Sequence, residues 1–326
     1  MIIEQLKQSG LLGKSGSNFP TWKKWEAVKN AQTQKKFVIC NASEGEPMVS
    51  KDAFILQNYP SDVVSAIKLA ITEVNATQGY IYLNFELYQK HKENLTKLIG
   101  NSPIELFQKP AGYLAGEETS LLNAIEGKPP FPRIKPPYPT EQGLWNCPTL
   151  INNVETFYWV NKIAQGQYKN NRFYCIAGDA PTQGIFELPE NYTIEQILKQ
   201  TKNYPSFPFF IQMGGGAVGE IMIESELNQS LKGLASIIIF NKEKTDPRAL
   251  MKGWAEFLML QNCDQCTPCR EGLYRINEIL WKTQNKPTEE NIKDLQEIFD
   301  VLEKTSLCPF GKTAYLPFKT ALEKLF

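Results

Sequence analysis

The strongest constraint in this sequence is a group of four cysteines toward its C-terminal end. Cys263, Cys266 and Cys269 follow the spacing C-x2-C-x2-C, and Cys308 comes later in the chain, directly before Pro309. This arrangement is typical of the ligands of a [4Fe-4S] cluster. A short loop can turn three thiolates toward three corners of a cube while a distant segment supplies the fourth. The sequence therefore predicts that these four cysteines are metal ligands.

Two other interpretations of the cysteines stay open. Zinc is one alternative, although zinc sites more often use two C-x2-C pairs. Buried structural thiols are common, but three cysteines within seven positions, bracketed by Asp, Gln, Thr, Pro and Arg, do not form the apolar run of a core. Cys40, Cys147 and Cys175 stand alone, and each is predicted to be a core thiol.

Composition narrows the class of protein. A length of 326 residues suggests two or three domains. Lys+Arg 35 against Asp+Glu 35 leaves no basic surplus for nucleic acid or an anionic membrane. No apolar window reaches the length of a membrane helix, and the first residues lack the pattern of a signal peptide. Clustered thiols fit a reducing compartment, so we expect a cytoplasmic protein that reaches a membrane complex, if at all, through partners.

The N-terminal half alternates between strand and helix patterns. Residues 36–40 and 79–83 are short apolar runs typical of buried parallel strands, whereas residues 62–74 and 85–99 repeat apolar positions at helical spacing. This alternation predicts a βαβ arrangement and a parallel sheet. The first strand runs into the polar residues 41–47, and ligands of open α/β sheets bind where strands end. We therefore expect a nucleotide site there.

Three further stretches could border a ligand. Glycines and serines in residues 10–18 would let backbone N–H groups approach a phosphate, although such a stretch alone is more often just a loop. Residues 111–122 form a turn that opens a helix, and its carboxylates either cap that helix or bond a ribose or nicotinamide. The proline-rich residues 128–139 cannot form regular helix or sheet, and Arg133 and Lys135 in this connector could cover an anionic ligand.

Several motifs, taken in order, resemble the NADH-binding flavoprotein subunit of respiratory complex I and its relatives in NAD-linked hydrogenases and formate dehydrogenases. Together they run through most of the chain, which makes them far more specific than any single glycine loop. The motifs are Asn-Ala-Ser-Glu-Gly-Glu-Pro (41–47), Gly-Glu-Glu-Thr (116–119), Glu-Gly-Lys-Pro (126–129), Asn-Asn-Val-Glu-Thr (152–156) and Cys-x-x-Cys-Thr-Pro-Cys-Arg-Glu-Gly (263–272).

The resemblance implies a Rossmann-like domain that holds FMN and NAD(H), with electrons passing to the [4Fe-4S] cluster. A flavin accepts a hydride and releases single electrons, so no side chain need act as a nucleophile or other catalytic group. By resemblance, the flavin site comprises Gly13, Lys14, Gly16, Lys24, Asn41, Ser43, Tyr113, Gly116, Asn152 and Asn153. The dinucleotide would contact Phe19, Glu46, Glu118, Lys135 and Tyr138. Glu44 and Glu117 are assigned to the same cofactor region.

Several positions depart from the pattern of that family. Lys14 stands in place of an arginine, and Ser43 in place of an aspartate. Ser15 and Asn18 replace glycines, Trp22 replaces another glycine, and Ala27 stands where a second aromatic would grip the adenine. Because side chains restrict the approach of backbone to ligand, a second function stays open. It is an electron-relay or scaffold subunit with a degenerate nucleotide pocket. A third possible function is that of a binding protein stabilised by zinc.

The remaining chain predicts two further domains. Strand patterns over residues 171–178, 184–189, 209–213 and 236–240, around a helix at 192–201, suggest a small β-grasp module of the SLBB type. The glycine-rich residues 214–219 lack the lysine of a phosphate-binding loop and are predicted to be a structural turn. Helical spacing then dominates residues 247–261, 270–282, 289–304 and 312–326. The predicted domains are a Rossmann-like flavin/NADH domain at 1–168, a β-grasp domain at 169–245 and a four-helix bundle with the cluster at 246–326.

The resemblance also implies partners. Nothing in the chain resembles a second electron acceptor, so we expect a thioredoxin-like [2Fe-2S] subunit and a larger redox complex of the hydrogenase, formate dehydrogenase or complex I type. Arg270 and Lys312 beside the cysteines would either offset the charge of the cluster and tune its potential or be ordinary surface charges. The single histidine, His91, is predicted to lie on the surface of a polar helix.

Overall fold

The computed structural model describes residues 2–231, 233–283 and 286–326. The chain divides into two compact units. The first unit comprises residues 2–45, 50–173 and 187–190, and the second comprises residues 46–49, 174–186 and 191–326. The predicted division into three domains is a finer partition and stays a prediction.

The first unit is built on a four-stranded sheet in the order β3-β2-β1-β4, and each neighbouring pair of strands is parallel. Its elements are α1 (Ile2–Ser9), α2 (Thr21–Asn30), β1 (Phe37–Ala42), α3 (Lys51–Asn58), α4 (Pro60–Val74), β2 (Gln78–Leu83), α5 (Phe85–Ile99), β3 (Ile104–Gln108), α6 (Ser120–Ile125), α7 (Pro139–Gln142), β4 (Thr149–Asn153) and α8 (Val154–Ala164). The predicted parallel sheet is therefore confirmed, and the chain has a mixed α/β fold.

The order of these strands creates a reversal beside β1. The chain moves from β1 to β2 and then β3 on one side, whereas β4 pairs with the opposite edge of β1. Most residues of β1 and β4 are apolar and buried, as expected where helices cover both faces of a parallel sheet, and Asn41, Asn152 and Asn153 lie at their carboxyl ends. Their polar ends meet at the topological switch point, the place where open α/β sheets bind ligands.

His91 corrects one prediction from sequence. It is buried at 4% exposure rather than lying on the surface. In α5 it stands four residues from both Leu87 and Leu95, so all three share the face that packs against the protein interior. Burial, with help from Lys90, lowers the pKa of the imidazole.

The second unit contains a five-stranded sheet in the order β6-β5-β9-β7-β8. Strand β9 is parallel to β5 and antiparallel to β7, and β7 is antiparallel to β8. The elements are β5 (Asn171–Gly178), β6 (Gly184–Pro189), α9 (Ile194–Gln200), β7 (Phe209–Met213), β8 (Glu220–Ile223), β9 (Ser236–Asn241), α10 (Pro247–Gln261), α11 (Thr267–Lys282), α12 (Glu289–Thr305), α13 (Pro309–Thr313) and α14 (Leu316–Leu325). The boundary between the units falls within β5 and β6.

The predicted helix over residues 312–326 is wrong in one respect. The structure has two helices there, α13 and α14, separated at Ala314 and Tyr315. Pro317 lies in the first turn of α14. Proline has no N–H for the preceding turn and disfavours helical backbone in the residue before it, so a helix restarts at this point rather than continuing. Among the helices that the structure describes, none is long and apolar enough to cross a membrane.

Candidate functional site

The ends of β1 and β4 place two asparagines side by side. Asn41 and Asn153 are register partners, and Asn153 Nδ2 donates to the Asn41 carbonyl at 3.2 Å. The Asn41 amide donates to the Gly116 carbonyl at 2.9 Å. Its oxygen accepts from the Ser43 N–H at 3.1 Å and the Ser43 hydroxyl at 2.6 Å. Four residues assigned to the flavin site from sequence therefore meet at the switch point.

Asn152 lies one residue earlier on β4 and is buried. Its amide is best oriented with the oxygen accepting from Trp25 Nε1 at 2.9 Å and the nitrogen donating to the Ile151 carbonyl at 3.0 Å. This contact ties α2 to β4, since Trp25 belongs to α2. Asn152 thus holds the segment that carries Lys24 against the end of the sheet.

A buried group of charges surrounds Asn153. The Lys51 ammonium lies 2.8 Å from Asn153 Oδ1, 2.6 Å from Asp52 Oδ1 and 3.3 Å from Glu155 Oε2. Asp52 Oδ2 accepts from Asn153 Nδ2 at 2.8 Å. Burial alone would lower the pKa of Lys51, but Asp52, Glu155 and Glu44 together raise it. The ammonium therefore stays charged, and its partners fix the orientation of the Asn153 amide.

Glu44 is placed by the start of α3. Its carboxylate accepts from the Asp52 N–H at 2.9 Å and the Ala53 N–H at 3.3 Å, so it satisfies two amides that have no partner within the helix. Burial, and next the charge of Asp52, raise the pKa of Glu44 to about 7. A carboxyl group next to the predicted flavin residues can therefore change its charge near neutral pH.

This pKa predicts a pH dependence of stability. Between the usual value of 4.5 and about 7, the folded protein binds more protons at Glu44 than the unfolded chain does. The free energy of unfolding of the apoprotein therefore falls as pH rises through this window, by roughly 3 kcal/mol in total. We expect Glu44→Gln to remove most of this slope in chemical unfolding between about pH 5 and about pH 8. The exposed Glu86→Gln is the control, and an unchanged slope in Glu44→Gln would contradict the assignment.

A second network of ion pairs connects three segments of the polypeptide around Glu118. Lys24 Nζ lies 3.1 Å from Glu118 Oε2, and Lys135 Nζ lies 2.6 Å from Glu118 Oε1 and 2.9 Å from Glu117 Oε1. Burial would raise the pKa of Glu118, but Lys24 and Lys135 hold it below its usual value. Glu117 also accepts from the Ser120 N–H at 3.0 Å, so it caps α6. The helix-capping alternative thus describes Glu117, whereas Glu118 joins the two lysines.

The first glycine loop holds its lysine in the interior. Lys14 is 1% exposed, and its ammonium lies 2.5 Å from Glu190 Oε1. The Lys14 N–H donates to Thr156 Oγ1 at 3.0 Å, which fastens the loop to α8. Arg172 lies 4.0 Å from the same Glu190 oxygen. Burial lowers the pKa of Lys14, an effect that Glu190 opposes. The structure thus turns the Lys14 side chain toward Glu190, while its backbone stays in the loop.

Other residues of this loop explain how it tolerates its substitutions. Asn18 adopts φ +47°, a left-handed conformation that asparagine accepts better than most residues and that glycine would also take. A Cβ at Gly16 would meet no atom within 4 Å, so the loop is open there. The Trp22 ring lies 5.0 Å from the Lys7 ammonium and 5.6 Å from that of Lys23, which gives this bulky residue cation–π partners on the helix surface.

The aromatic residues assigned to the dinucleotide are accessible. Phe19 is 44% exposed and Tyr138 is 52% exposed, as stacking residues must be before a ligand covers them. Tyr113 is half-buried, and a Cβ at Gly45 would lie 3.7 Å from its ring. Phe19 and Tyr138 therefore expose aromatic surface against which a planar ligand could stack.

Glu46 belongs to the second unit, where the glycine-rich turn between β7 and β8 holds it. Its Oε1 accepts from the Ala217 N–H at 2.8 Å and the Val218 N–H at 3.4 Å. Gly215 adopts φ +123°, and a Cβ there would collide with the Glu46 carboxylate. The predicted structural turn is thus a β-hairpin that also binds a carboxylate through its backbone.

Gly215→Ala tests this arrangement. The added Cβ is expected to strain the backbone and displace Glu46, at a cost of roughly 1–3 kcal/mol in the free energy of unfolding. Gly184→Ala is the control, because Gly184 also has a positive φ of +151° but no atom within 4 Å of a Cβ position. In denaturant unfolding, Gly184→Ala reports the cost of backbone strain alone, whereas Gly215→Ala reports that cost together with the collision with Glu46. Equal losses in the two variants would show that the contact with Glu46 carries no weight.

The four predicted cluster ligands come from two places in the second unit. Cys263 follows α10, Cys266 is the N-cap of α11, Cys269 lies in the first turn of α11, and Cys308 is the N-cap of α13. Cys269 and Cys308 are buried, while the other two are half-buried. Burial, and then the charges of Cys266, Cys308 and Cys263, raise the pKa of Cys269. Each of the other three cysteines therefore lies near enough to Cys269 to raise the pKa of its thiol.

This donor set fits an iron–sulfur cluster. Four cysteines are the usual ligand set of a [4Fe-4S] cluster, and binding of the metal would release their thiol protons. In the part of the chain that the structure describes, no group of three or more His, Cys, Asp or Glu side chains is arranged around a single ion position.

The three isolated cysteines divide into two kinds. Cys40 and Cys175 are buried, which confirms the prediction of core thiols. Cys147 packs against the hydrophobic core that contains Phe37 and Ile39, but it is only half-buried, so the prediction holds for Cys147 only in part. The reason is local, because Cys147 follows a short 3-10 turn rather than lying within a strand.

Sequence reasoning missed the residues that support the site. Lys51, Asp52 and Glu155 surround Asn153, and Glu190 holds Lys14. A local signal existed for Lys51 and Asp52, since they begin a helix that only three residues separate from the polar residues 41–47. Glu190 carries no such signal, because it lies far along the chain from the loop it contacts.

Two family models match separate parts of the chain. Residues 6–162 match the family model described as the Nuo51 FMN-binding domain. Residues 249–325 match the model described as the NADH-ubiquinone oxidoreductase-F iron-sulfur binding region. The two matches cover the segments that carry the asparagine group and the four cysteines.

Individual relatives and structures agree with these models. An NADH-quinone oxidoreductase subunit of Aquifex aeolicus is 30% identical, over 99% of this chain and 84% of the relative. The NADP-reducing hydrogenase subunit HndC of Solidesulfovibrio fructosivorans is 28% identical, over 99% and 74%. The fold matches a crystal structure of an NAD+-reducing [NiFe]-hydrogenase in its H2-reduced state with a TM-score of 0.91 at 27% identity. That match covers 99% of this chain and 61% of the hydrogenase chain.

The chain belongs to the family that unites these NADH-quinone oxidoreductase and hydrogenase subunits, which are flavin-dependent NADH dehydrogenase modules with an FMN-binding domain and a [4Fe-4S] region. The resemblance found in the sequence motifs is thereby confirmed, and so are the predicted cofactors.

Proposed function

We propose that this chain takes electrons from NADH through FMN at the switch point of its first unit and passes them singly to a [4Fe-4S] cluster held by Cys263, Cys266, Cys269 and Cys308. The observation that carries the proposal is the pairing of Asn41 with Asn153 at the ends of β1 and β4. FMN, when bound, supplies the conversion between a hydride and single electrons. The protein supplies binding, orientation and electrostatics.

The switch-point residues are suited to hold the flavin. The amides of Asn41, Asn152 and Asn153 are buried or half-buried and fixed by partners, so they lose little freedom when a ligand binds. Lys24 reaches the same place, with its ammonium 3.5 Å from the Ile151 carbonyl of β4. Both lysines of this region pair with a glutamate, Lys24 with Glu118 and Lys14 with Glu190. We assign Lys24 to the anionic end of the flavin, because its side chain is partly exposed whereas that of Lys14 is buried.

The dinucleotide contacts remain those implied by the family. Phe19 and Tyr138 offer exposed aromatic faces, Glu118 and Lys135 form a half-buried ion pair, and Glu46 is fixed by backbone amides. Fixed acceptors and donors of this kind orient a nicotinamide and its ribose without taking part in covalent chemistry.

The finer assignments of domains and partners belong to the same proposal. We divide the second unit into a β-grasp module of the SLBB type, residues 169–245, and a helical cluster domain, residues 246–326, after a Rossmann-like domain of residues 1–168. We expect a thioredoxin-like [2Fe-2S] subunit to work beside this chain in a larger redox complex. The clustered thiols favour a reducing compartment such as the cytoplasm.

Anaerobic purification tests the proposal. Extracted flavin and iron are measured, and NADH is then added while the absorption of the flavin is followed. We expect bound FMN, iron and bleaching of the flavin band. A cluster without flavin, or a flavin that NADH leaves oxidised while dithionite reduces it, would contradict the proposal. That result would favour the relay subunit with a degenerate nucleotide pocket, which the buried Lys14 and the substituted loop already make the second candidate.

A further inference from the structure

The end of α12 carries a buried hydroxyl group with no partner. Ser306 is 3% exposed, and its Oγ makes no hydrogen bond within the described part of the chain. Its backbone is satisfied, because the Ser306 N–H donates to the Leu302 carbonyl as the C-cap of the helix. A buried hydroxyl without a hydrogen bond normally lowers the stability of the folded protein. An unpaired group of this kind suggests a hydrogen-bond partner that is not part of the polypeptide.

This hydroxyl lies beside the predicted cluster ligands. A Cβ placed on Gly311 would lie 2.6 Å from Ser306 Oγ and 3.4 Å from Cys269 Cβ. The hydroxyl and the side chain of Cys269 therefore border the same point. Ser306 also stands two residues before Cys308. Because Gly311 has no side chain, Ser306 can lie close to Cys269, the predicted cluster ligand in α11.

We propose that the Ser306 hydroxyl donates a hydrogen bond to a sulfur atom of the [4Fe-4S] cluster or of its cysteine ligands and thereby raises the reduction potential of the cluster. The inference rests on the proposed binding of the cluster by the four cysteines. Reduction adds negative charge to the cluster, and a hydrogen-bond donor stabilises the more negative state. The effect is strongest where water is excluded, as it is at Ser306.

The charged residues near the motif are less suited to this task. The side chain of Arg270 is 45% exposed and pairs with Glu271 at 2.8 Å. Its guanidinium also donates to the Asp264 carbonyl at 3.1 Å. Lys312 is exposed as well. Water screens such charges, whereas the hydroxyl of Ser306 acts from within the packed interior.

Ser306→Ala is the direct test. The variant loses only an oxygen that has no partner among the described residues, so we expect its melting temperature to stay unchanged or rise. The reduction potential of the cluster, measured by electron paramagnetic resonance during a redox titration of the holoprotein, should become more negative. A threefold to tenfold change in the reduction equilibrium corresponds to roughly 30–59 mV for one electron. Thr305→Ala is the control, because that exposed hydroxyl bonds to the Val301 carbonyl and should leave the potential unchanged.

A second pair of variants keeps the test decisive if alanine impairs assembly. Ser306→Thr and Ser306→Val have similar shapes and differ in the hydroxyl, so threonine should keep the higher potential of the two. In deuterated water, wild type should show an exchangeable deuteron coupled to the reduced cluster that Ser306→Ala lacks. Equal potentials in the paired variants, with no lost deuteron, would overturn the inference. A wild-type protein without any cluster would instead overturn the proposed function on which it rests.

Discussion

Cys269→Ala is expected to abolish cluster binding, so that the purified protein contains little or no iron and acid-labile sulfide. Cys269 is buried among the other three predicted ligands, and a [4Fe-4S] cluster needs a thiolate at each iron. The residues proposed to bind the flavin belong to the other unit, so the variant should keep its FMN. NADH is then expected to bleach the flavin while the signal of a reduced cluster is missing. Iron analysis and low-temperature electron paramagnetic resonance measure the two effects.

Cys147→Ala is the matched control for this variant. Cys147 is a half-buried thiol outside the motif, and its replacement should leave iron, sulfide and flavin at the content of the wild type. Full iron content in Cys269→Ala would contradict the ligand assignment. Loss of iron in both variants would point to general instability rather than to loss of a ligand.

Lys51→Met is expected to destabilise the first unit by about 3–5 kcal/mol, because it leaves buried carboxylates without their counter-charge. Lys51 lies within 3.3 Å of Asp52 and Glu155, both almost fully buried. The same change frees the Asn153 amide, so the variant should also lose much of its affinity for FMN. Urea unfolding of the apoprotein and a flavin-binding titration report the two consequences separately.

Two further variants decide whether the buried charge is the cause. Lys128→Met removes a largely exposed lysine from an ion pair, and such pairs contribute about 0–1 kcal/mol. Lys51→Met combined with Glu155→Gln should recover part of the lost stability, since the double variant has one uncompensated carboxylate fewer. A loss in Lys51→Met no larger than that in Lys128→Met would refute the role given to this network.

The sequence predicted those parts of the fold that depend on local pattern. The apolar runs of β1 and β2 and the helical spacing of α4 and α5 predicted the parallel sheet, because periodicity reports directly which face of an element is buried. Strand β4 was not predicted, because Thr149–Asn153 is short and ends in two asparagines. Those asparagines were assigned to a family motif and not to a strand. The prediction that His91 lies on the surface was wrong because it relied on the polar residue type. The position of His91 on the buried face of α5, in line with Leu87 and Leu95, was overlooked.

The candidate site was predictable where residues are close in sequence and not where tertiary contacts decide. Asn41, Asn152 and Asn153 were found from motifs, and the register of β1 with β4 brings them together. The ion pair between Lys14 and Glu190 joins residues that are far apart in sequence, so no local sequence pattern predicts it. Ser306 is similar, since only the packing of Gly311 against it reveals that its hydroxyl borders Cys269.

The departures from the family pattern have physical consequences that the structure makes explicit. Ser43 donates a hydrogen bond to Asn41, which the aspartate usual at this position could not do once ionised. Asn18 keeps the left-handed backbone of a glycine. Ser43 thus changes the hydrogen-bonding groups at the end of β1, whereas Asn18 is accommodated by its left-handed backbone.

Rapid mixing of the anaerobic, cofactor-loaded protein with NADH tests the central claim most directly. The absorption of the flavin and the spectrum of the cluster are followed in the same reaction. The account predicts that the flavin is reduced first and that the cluster is reduced afterwards, at the expense of the flavin electrons. Reduction of the cluster by dithionite but not by NADH, with the flavin unchanged, would contradict it.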